Sequence, residues 1–282
     1  MATDNSSCAL RFLYRSVFGR AVLRLLTQRW VSKTVGAFMS SPLSRPMING
    51  FIRKNGIDMS QFEQRRFKSY NDFFTRRLAD GARNIDLAPK SLISPCDSRL
   101  TVYEINDKSR FFIKGRDYSV SELLCDDDTA QLFSGGQCLV FRLCVDDYHR
   151  YCRFDGGSPI KSRKIKGRLH TVQPIALERF NFYHENSREW ELAKTDNFGF
   201  AIYCEVGALM VGRIVNHSVP SFHRGDEKGY FKFGGSTVVL LLQKGKAQID
   251  NEILKNSAEN RETRVLLGQR IGRAVTGQSE EK

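Results

Sequence analysis

Phe233-Gly234-Gly235-Ser236-Thr237 runs without a break into the apolar stretch Val238-Val239-Leu240-Leu241-Leu242. Five aliphatic residues behind a glycine pair read as a buried strand entered from a tight turn. The two glycines release the backbone directly before a hydroxyl residue. With strands on both sides holding the turn rigid, Ser236 Oγ can be pressed toward the carbonyl carbon of Gly235. The same residues also read as a β-bulge or hairpin turn carrying an ordinary serine.

Outward from this point, runs rich in Val, Ile, Phe and Tyr recur at Leu139 to Val145, Phe200 to Val206 and Leu209 to Val215. Gly, Asp, Asn and Ser clusters separate them, so the chain from Pro89 to its end reads as β structure. Before Pro89 the texture is helical, with one piece over roughly Tyr70 to Ala79. Further back, Arg11, Arg15, Arg20 and Arg24 are interleaved with Leu13, Val17, Leu23 and Leu26 at helical spacing. Pro42 and Pro46 break this front into shorter pieces. The expected fold is α+β: a basic amphipathic helical segment over residues 1–84, followed by a β-rich domain over 85–282.

From residue 8 to residue 54 the chain carries nine basic residues and no acidic one, within a total of 44 Lys and Arg against 31 Asp and Glu. Such a segment reads either as an interfacial helix on anionic lipid or as a helix packed on the protein's own core with solvated arginines. No motif of a DNA- or RNA-binding module accompanies the charge, so nucleic acid is not an expected partner. Arginines interrupt the early apolar runs and no later run is long enough to span a bilayer, so neither a signal peptide nor a transmembrane helix is expected. Membrane contact is expected to be peripheral, at the cytoplasmic face. The seven cysteines are scattered and never spaced C-x-x-C, which signals neither a disulfide framework nor a zinc site and fits a reducing cytosol.

Two further places carry chemistry. Asp146-Asp147-Tyr148-His149-Arg150-Tyr151-Cys152 follows a strand-like run and groups acid, imidazole, guanidinium and thiol. His149 there suits a general base or acid near neutral pH, and Arg150 suits a phosphate or carboxylate. Ser94-Pro95-Cys96-Asp97-Ser98 is a stiffened turn whose Asp97 could orient a histidine. Alone, each also reads as an ordinary loop.

Taken in this order, the segments resemble the phosphatidylserine decarboxylases over nearly the whole chain. The resemblance extends to Tyr70-Asn71-Asp72-Phe73-Phe74-Thr75-Arg76, Ile113-Lys114-Gly115 with Tyr118-Ser119, Glu205-Val206-Gly207-Ala208 and Gly229-Tyr230-Phe231-Lys232. It implies a proenzyme that cuts itself between Gly235 and Ser236 into chains 1–235 and 236–282, which remain together as a heterodimer. It further implies that Ser236 becomes a covalent pyruvoyl group, with no metal and no pyridoxal phosphate. That ketone forms a Schiff base with the amine of a phospholipid substrate, phosphatidylserine, and accepts electrons as CO₂ leaves.

By the same resemblance, Asp97, a base and Ser236 form the self-cleavage triad, His149 protonates the product carbon, and Arg150 is a candidate for the lipid phosphate. Two positions depart from the common pattern. Ser98 stands where Gly follows the Asp, and Cys152 stands where a second histidine serves as base. His149 as base, Cys152 as a thiolate, and impaired processing all remain open, with a divergent subfamily that manages with Cys preferred. The rival functions are an uncut, non-enzymatic phosphate- or membrane-binding homologue and a pyruvoyl decarboxylase of a soluble amino acid. A serine hydrolase is more distant, because G-x-S-x-G is missing.

Overall fold

The computed structural model describes residues 16, 29–113, 116–167, 186–207, 213–233 and 236–275. The expected helix carrying Arg11 to Leu26 and the Gly234-Gly235 pair lie outside the described residues, as do Lys114-Gly115, Leu209 to Gly212 and the last residues of the chain.

Three helices lead the described chain: α1 over Arg29–Ser40, α2 over Met47–Asn55 and α3 over Tyr70–Phe74. A 3-10 turn at Pro42–Ser44 separates the first two and Pro46 stands at the N-cap of α2, so the prolines divide the front as expected. Helix α3 is shorter than the span Tyr70 to Ala79. Ser69 caps it, the Thr75 hydroxyl turns back to the Asn71 carbonyl at 2.8 Å, and Leu78 then leaves to bridge Phe62. Burial of Phe73 and Phe74 holds the helix, but no apolar residue behind Phe74 is buried with them before the chain turns at Thr75. Met39, Ile48, Tyr70, Phe73 and Phe74 form a small apolar core of this front, against which Phe233 packs.

The remaining elements are β1 (Ser91–Ile93), β2 (Ser98–Glu104), β3 (Arg110–Ile113), β4 (Arg116–Ser119), α4 (Val120–Leu124), α5 (Asp127–Gln131), β5 (Gln137–Leu143), β6 (Arg150–Cys152), β7 (Gly157–Ile165), β8 (Arg188–Thr195), β9 (Gly199–Gly207), β10 (Ile214–Asn216), β11 (Glu227–Phe231), β12 (Ser236–Leu242), β13 (Ala247–Ile249), α6 (Asn251–Ala258), β14 (Thr263–Val265) and β15 (Arg270–Ala274). Helices α4, α5 and α6 interrupt what the sequence presents as continuous β structure. Ser119 and Asp126 cap the first two by accepting from the Glu122 and Thr129 amides, a local signal that strand periodicity hides.

Seven antiparallel strands form the main sheet in the order β14-β2-β5-β12-β9-β8-β7. Strand β12 is its middle member and every one of its residues is buried. A continuous apolar run, rather than an alternating one, is what a strand covered on both faces requires. Its first residue, Ser236, pairs with Leu143 of β5 and Gly207 of β9. A second sheet, β10-β11-β6, sets Arg150–Cys152 beside Glu227–Phe231.

Candidate active site

Ser236 and His149 reach the same end of the main sheet by different routes. Leu143, the last residue of β5, lies opposite Ser236, and the loop leaving Leu143 carries Asp146 to His149 into β6. The His149 carbonyl then accepts from the Phe231 amide at 3.0 Å, which ties β6 to the strand leading into Phe233.

Phe233 is held twice by α3. Its amide donates to Asn71 Oδ1 at 2.9 Å, and its ring stands edge-on to Tyr70 and Phe74 at 5.1 and 5.6 Å between centroids. Asn71 is itself oriented, because its Nδ2 donates to Ser40 Oγ at 2.8 Å. The helical front therefore fixes the approach to the diglycine, a role that no catalytic residue type advertises. The signal in the sequence is an amide set among the aromatic residues of a short helix. Asn71→Ala is expected to cost about 1 kcal/mol by leaving the Phe233 amide without its acceptor, seen calorimetrically as a fall in Tm of about 2–4 °C.

His149 is fully buried, its ring 4.1 Å from that of Phe74. Nδ1 lies 2.9 Å from the Asp147 carbonyl. A carbonyl can only accept, so Nδ1 carries the proton and Nε2 keeps its lone pair. Burial, helped by the charge of Arg76 and opposed by the bond to Asp147, pushes the imidazole pKa down to about 3. His149 is thus a neutral base across the physiological range. Its Nε2 makes no hydrogen bond, and neither does the fully buried Ser236 Oγ. Thr237 Oγ1, next in β12, is likewise buried and unpaired; buried polar atoms are nearly always paired, so such a group of orphans marks a site built for something other than stability.

Asp97 is not hydrogen-bonded to His149. Its carboxylate receives Arg83 Nε at 3.1 Å and Nη2 at 2.5 Å, and its Oδ1 also receives the Leu267 amide at 2.8 Å. A guanidinium fork and a backbone amide satisfy both oxygens, and the Asp147 carbonyl orients the imidazole instead. Cys152 comes close to the Asp97 turn, its amide donating to the Pro95 carbonyl at 2.8 Å. Burial pushes its thiol up to about 12, so it is a neutral thiol rather than the thiolate considered from the sequence.

Arg150 does not present a free guanidinium either. It donates to the Thr75 and Arg76 carbonyls and to both oxygens of Glu227 at 2.7 and 2.9 Å. No alternation or spacing points to Glu227 or Thr75 as its partners, because they lie about 75 positions away in sequence.

Fold and site together define an α+β protein with a buried serine at one end of a central antiparallel sheet and a buried, neutral imidazole on the loop that leaves that end. Residues 70–273 match the phosphatidylserine decarboxylase family. Phosphatidylserine decarboxylase proenzyme 2 of Clostridium acetobutylicum is 48% identical over 265 residues, covering 93% of this chain and 91% of the relative. The phosphatidylserine decarboxylase proenzyme of Ruminiclostridium cellulolyticum is 42% identical over 273 residues (94% and 91%), and that of Clostridium beijerinckii 41% identical over 273 residues (94% and 92%). The chain belongs to the phosphatidylserine decarboxylase family.

Proposed function

We propose that this protein converts phosphatidylserine to phosphatidylethanolamine with a pyruvoyl group that it makes from its own Ser236. The observation that carries this reading is Ser236 Oγ itself, buried and without a hydrogen-bond partner at the first position of the central strand, at the sheet end from which the loop to His149 departs.

His149 Nε2 takes the Ser236 hydroxyl proton as Oγ attacks the Gly235 carbonyl, and the amide becomes an ester. Nucleophile and carbonyl belong to adjacent residues, so no encounter entropy opposes the step. Loss of the Ser236 Cα proton breaks the Cβ–Oγ bond. Gly235 leaves as a carboxylate at the end of chain 1–235, and water displaces ammonia from the remaining dehydroalanine to give the ketone that heads chain 236–282. The two products stay together because β12 is hydrogen-bonded along its whole length to β5 and β9. A planar group fits at residue 236, where the hydroxyl it replaces satisfies no partner. When present, that group would supply the electron sink for the pair released as CO₂ leaves, and the carbon left behind would take up a proton from water, relayed through His149 Nε2.

Cys152 takes no part in this scheme. Cys152→Ala is expected to cut within about twofold of the wild-type rate, followed by the loss of intact chain on denaturing gels, because a neutral buried thiol is not the base.

We assign residues 1–84 to membrane association and 85–282 to catalysis, at the cytoplasmic face of the cell membrane. Phe38, Leu43 and Met47 are 44, 77 and 45% exposed, with the exposed Arg45, Arg53 and Lys54 close by in the chain. Apolar side chains fringed by cations suit an anionic lipid surface. Among the described residues no helix is long and apolar enough to cross a membrane. The test is release of labelled CO₂ from carboxyl-labelled phosphatidylserine in vesicles. Release from free serine at an equal rate contradicts the lipid assignment.

A further inference from the structure

Arg76 is buried in a way that the other interior guanidinium groups are not. Arg83, Arg142, Arg150, Arg153 and Arg224 each hold a carboxylate, from Asp97, Glu262, Glu227, Glu191 and Asp155 respectively, and Arg188 donates to the Leu123, Asn186 and Glu122 carbonyls. Arg76 is 1% exposed, yet its Nε and Nη1 make no hydrogen bond, and Nη2 reaches only the Asp146 carbonyl at 3.5 Å. The rings of Phe62 and Phe73 lie 4.2 and 4.9 Å from its Cζ and offset part of the lost hydration. Asp97 and Asp146 act on it only at longer range, and neither forms an ion pair with it. Arg76 lies beside the site: its carbonyl accepts from Arg150 Nε, the residue after His149, and the imidazole feels its charge. An unpaired buried cation is expensive, and it is tolerated where a ligand brings the missing anion.

We propose that Arg76 binds the phosphodiester of the substrate headgroup, an inference that rests on the decarboxylase reading above. The substrate offers two anions, and chemistry chooses between them. The carboxylate leaves as neutral CO₂, so a guanidinium fixed on it stabilises the ground state more than the transition state and slows the reaction. The phosphodiester keeps its charge from substrate to product, so a fixed cation holds it without opposing the chemistry. Arg76 stands in place of Arg150, whose donors are already satisfied within the chain.

The test measures calorimetric binding of glycerophosphoethanolamine, ethanolamine and inorganic phosphate to cut wild-type protein, Arg76→Met and Arg76→Lys, alongside KM for vesicle phosphatidylserine. Arg76→Met is expected to weaken glycerophosphoethanolamine at least tenfold while ethanolamine binds as before. KM should rise more than kcat falls, and Arg76→Lys should be intermediate. Inorganic phosphate that binds wild type and fails on Arg76→Met shows a site for phosphate in general, whereas its failure on both shows one that reads the headgroup. Unchanged affinities in Arg76→Met overturn the proposal, and so do two variants that both stay uncut, since Arg76 then serves processing. A wild-type chain that never cuts, yet binds phosphate in an Arg76-dependent way, sinks the decarboxylase reading and leaves the anion site standing.

Discussion

Ser236→Ala is expected to remain one uncut chain of 282 residues with no measurable decarboxylation. A methyl group can neither attack the Gly235 carbonyl nor undergo the elimination that opens the chain. Misfolding does not supply an alternative explanation. The Ser236 hydroxyl is buried without a partner, and removing an unsatisfied polar atom is neutral or stabilising. The pairing of Ser236 with Leu143 and Gly207 is made by backbone, which alanine retains. Thermal unfolding of the variant should therefore match or exceed that of the wild-type precursor, while gels show a single band at full length. A variant that still splits would place the cut at another bond.

His149→Gln carries the second large effect. Glutamine preserves much of the volume and offers an amide, but it has no lone pair able to take the Ser236 proton. Self-cleavage should slow by about 10² to 10⁴, the usual contribution of a positioned base, so freshly translated variant persists as intact chain.

The wild-type pH dependence follows from burial. Burial lowers the folded pKa to about 3 from the ordinary histidine value of 6.5, so between these limits the unfolded chain binds the proton and the folded chain does not. The contribution of His149 to stability is therefore unpenalised above about pH 6.5, and it declines as pH falls toward 3. Asp147, raised by burial to about 6, works in the opposite sense: its folded form keeps a proton that the unfolded chain has lost, so its contribution weakens as pH rises from about 4 toward 6. In the folded protein the His149 ring resonances should not titrate between about pH 5 and 8. A midpoint near 6.5 would show the imidazole to be solvated and the tautomer argument to be wrong.

The sequence carries the fold where one physical signal dominates. Val238 to Leu242 is apolar at every position, and it is the strand with neighbours on both sides and no exposed face. Pro42 and Pro46 mark real breaks because proline removes a donor and fixes φ. The short helices α4 and α5 escape notice, since five residues show no period and only their capping serine and aspartate betray them. At the site, residue types are legible and partners are not. Ser236 and His149 stand out by chemistry alone. That Asp97 turns to Arg83, that Arg150 is spent on Glu227, and that Arg76 has no counter-ion are outcomes of long-range packing, with partners 14 to 77 positions apart in the two ion pairs. The Cys152 departure from the common histidine also reads differently once burial is known, because burial pushes its thiol up to about 12.

The central claim is that Ser236 is consumed to make the catalytic group, and the intact mass of purified, active wild-type protein under denaturing conditions tests it most directly. Two species are predicted, one with the mass of residues 1–235 and a free carboxyl end, the other with that of residues 236–282 with its first residue as pyruvoyl in place of serine. The second should shift on borohydride reduction, in step with loss of activity. A single species at the full 32.2 kDa, fully active and with an ordinary Ser236, would contradict the account.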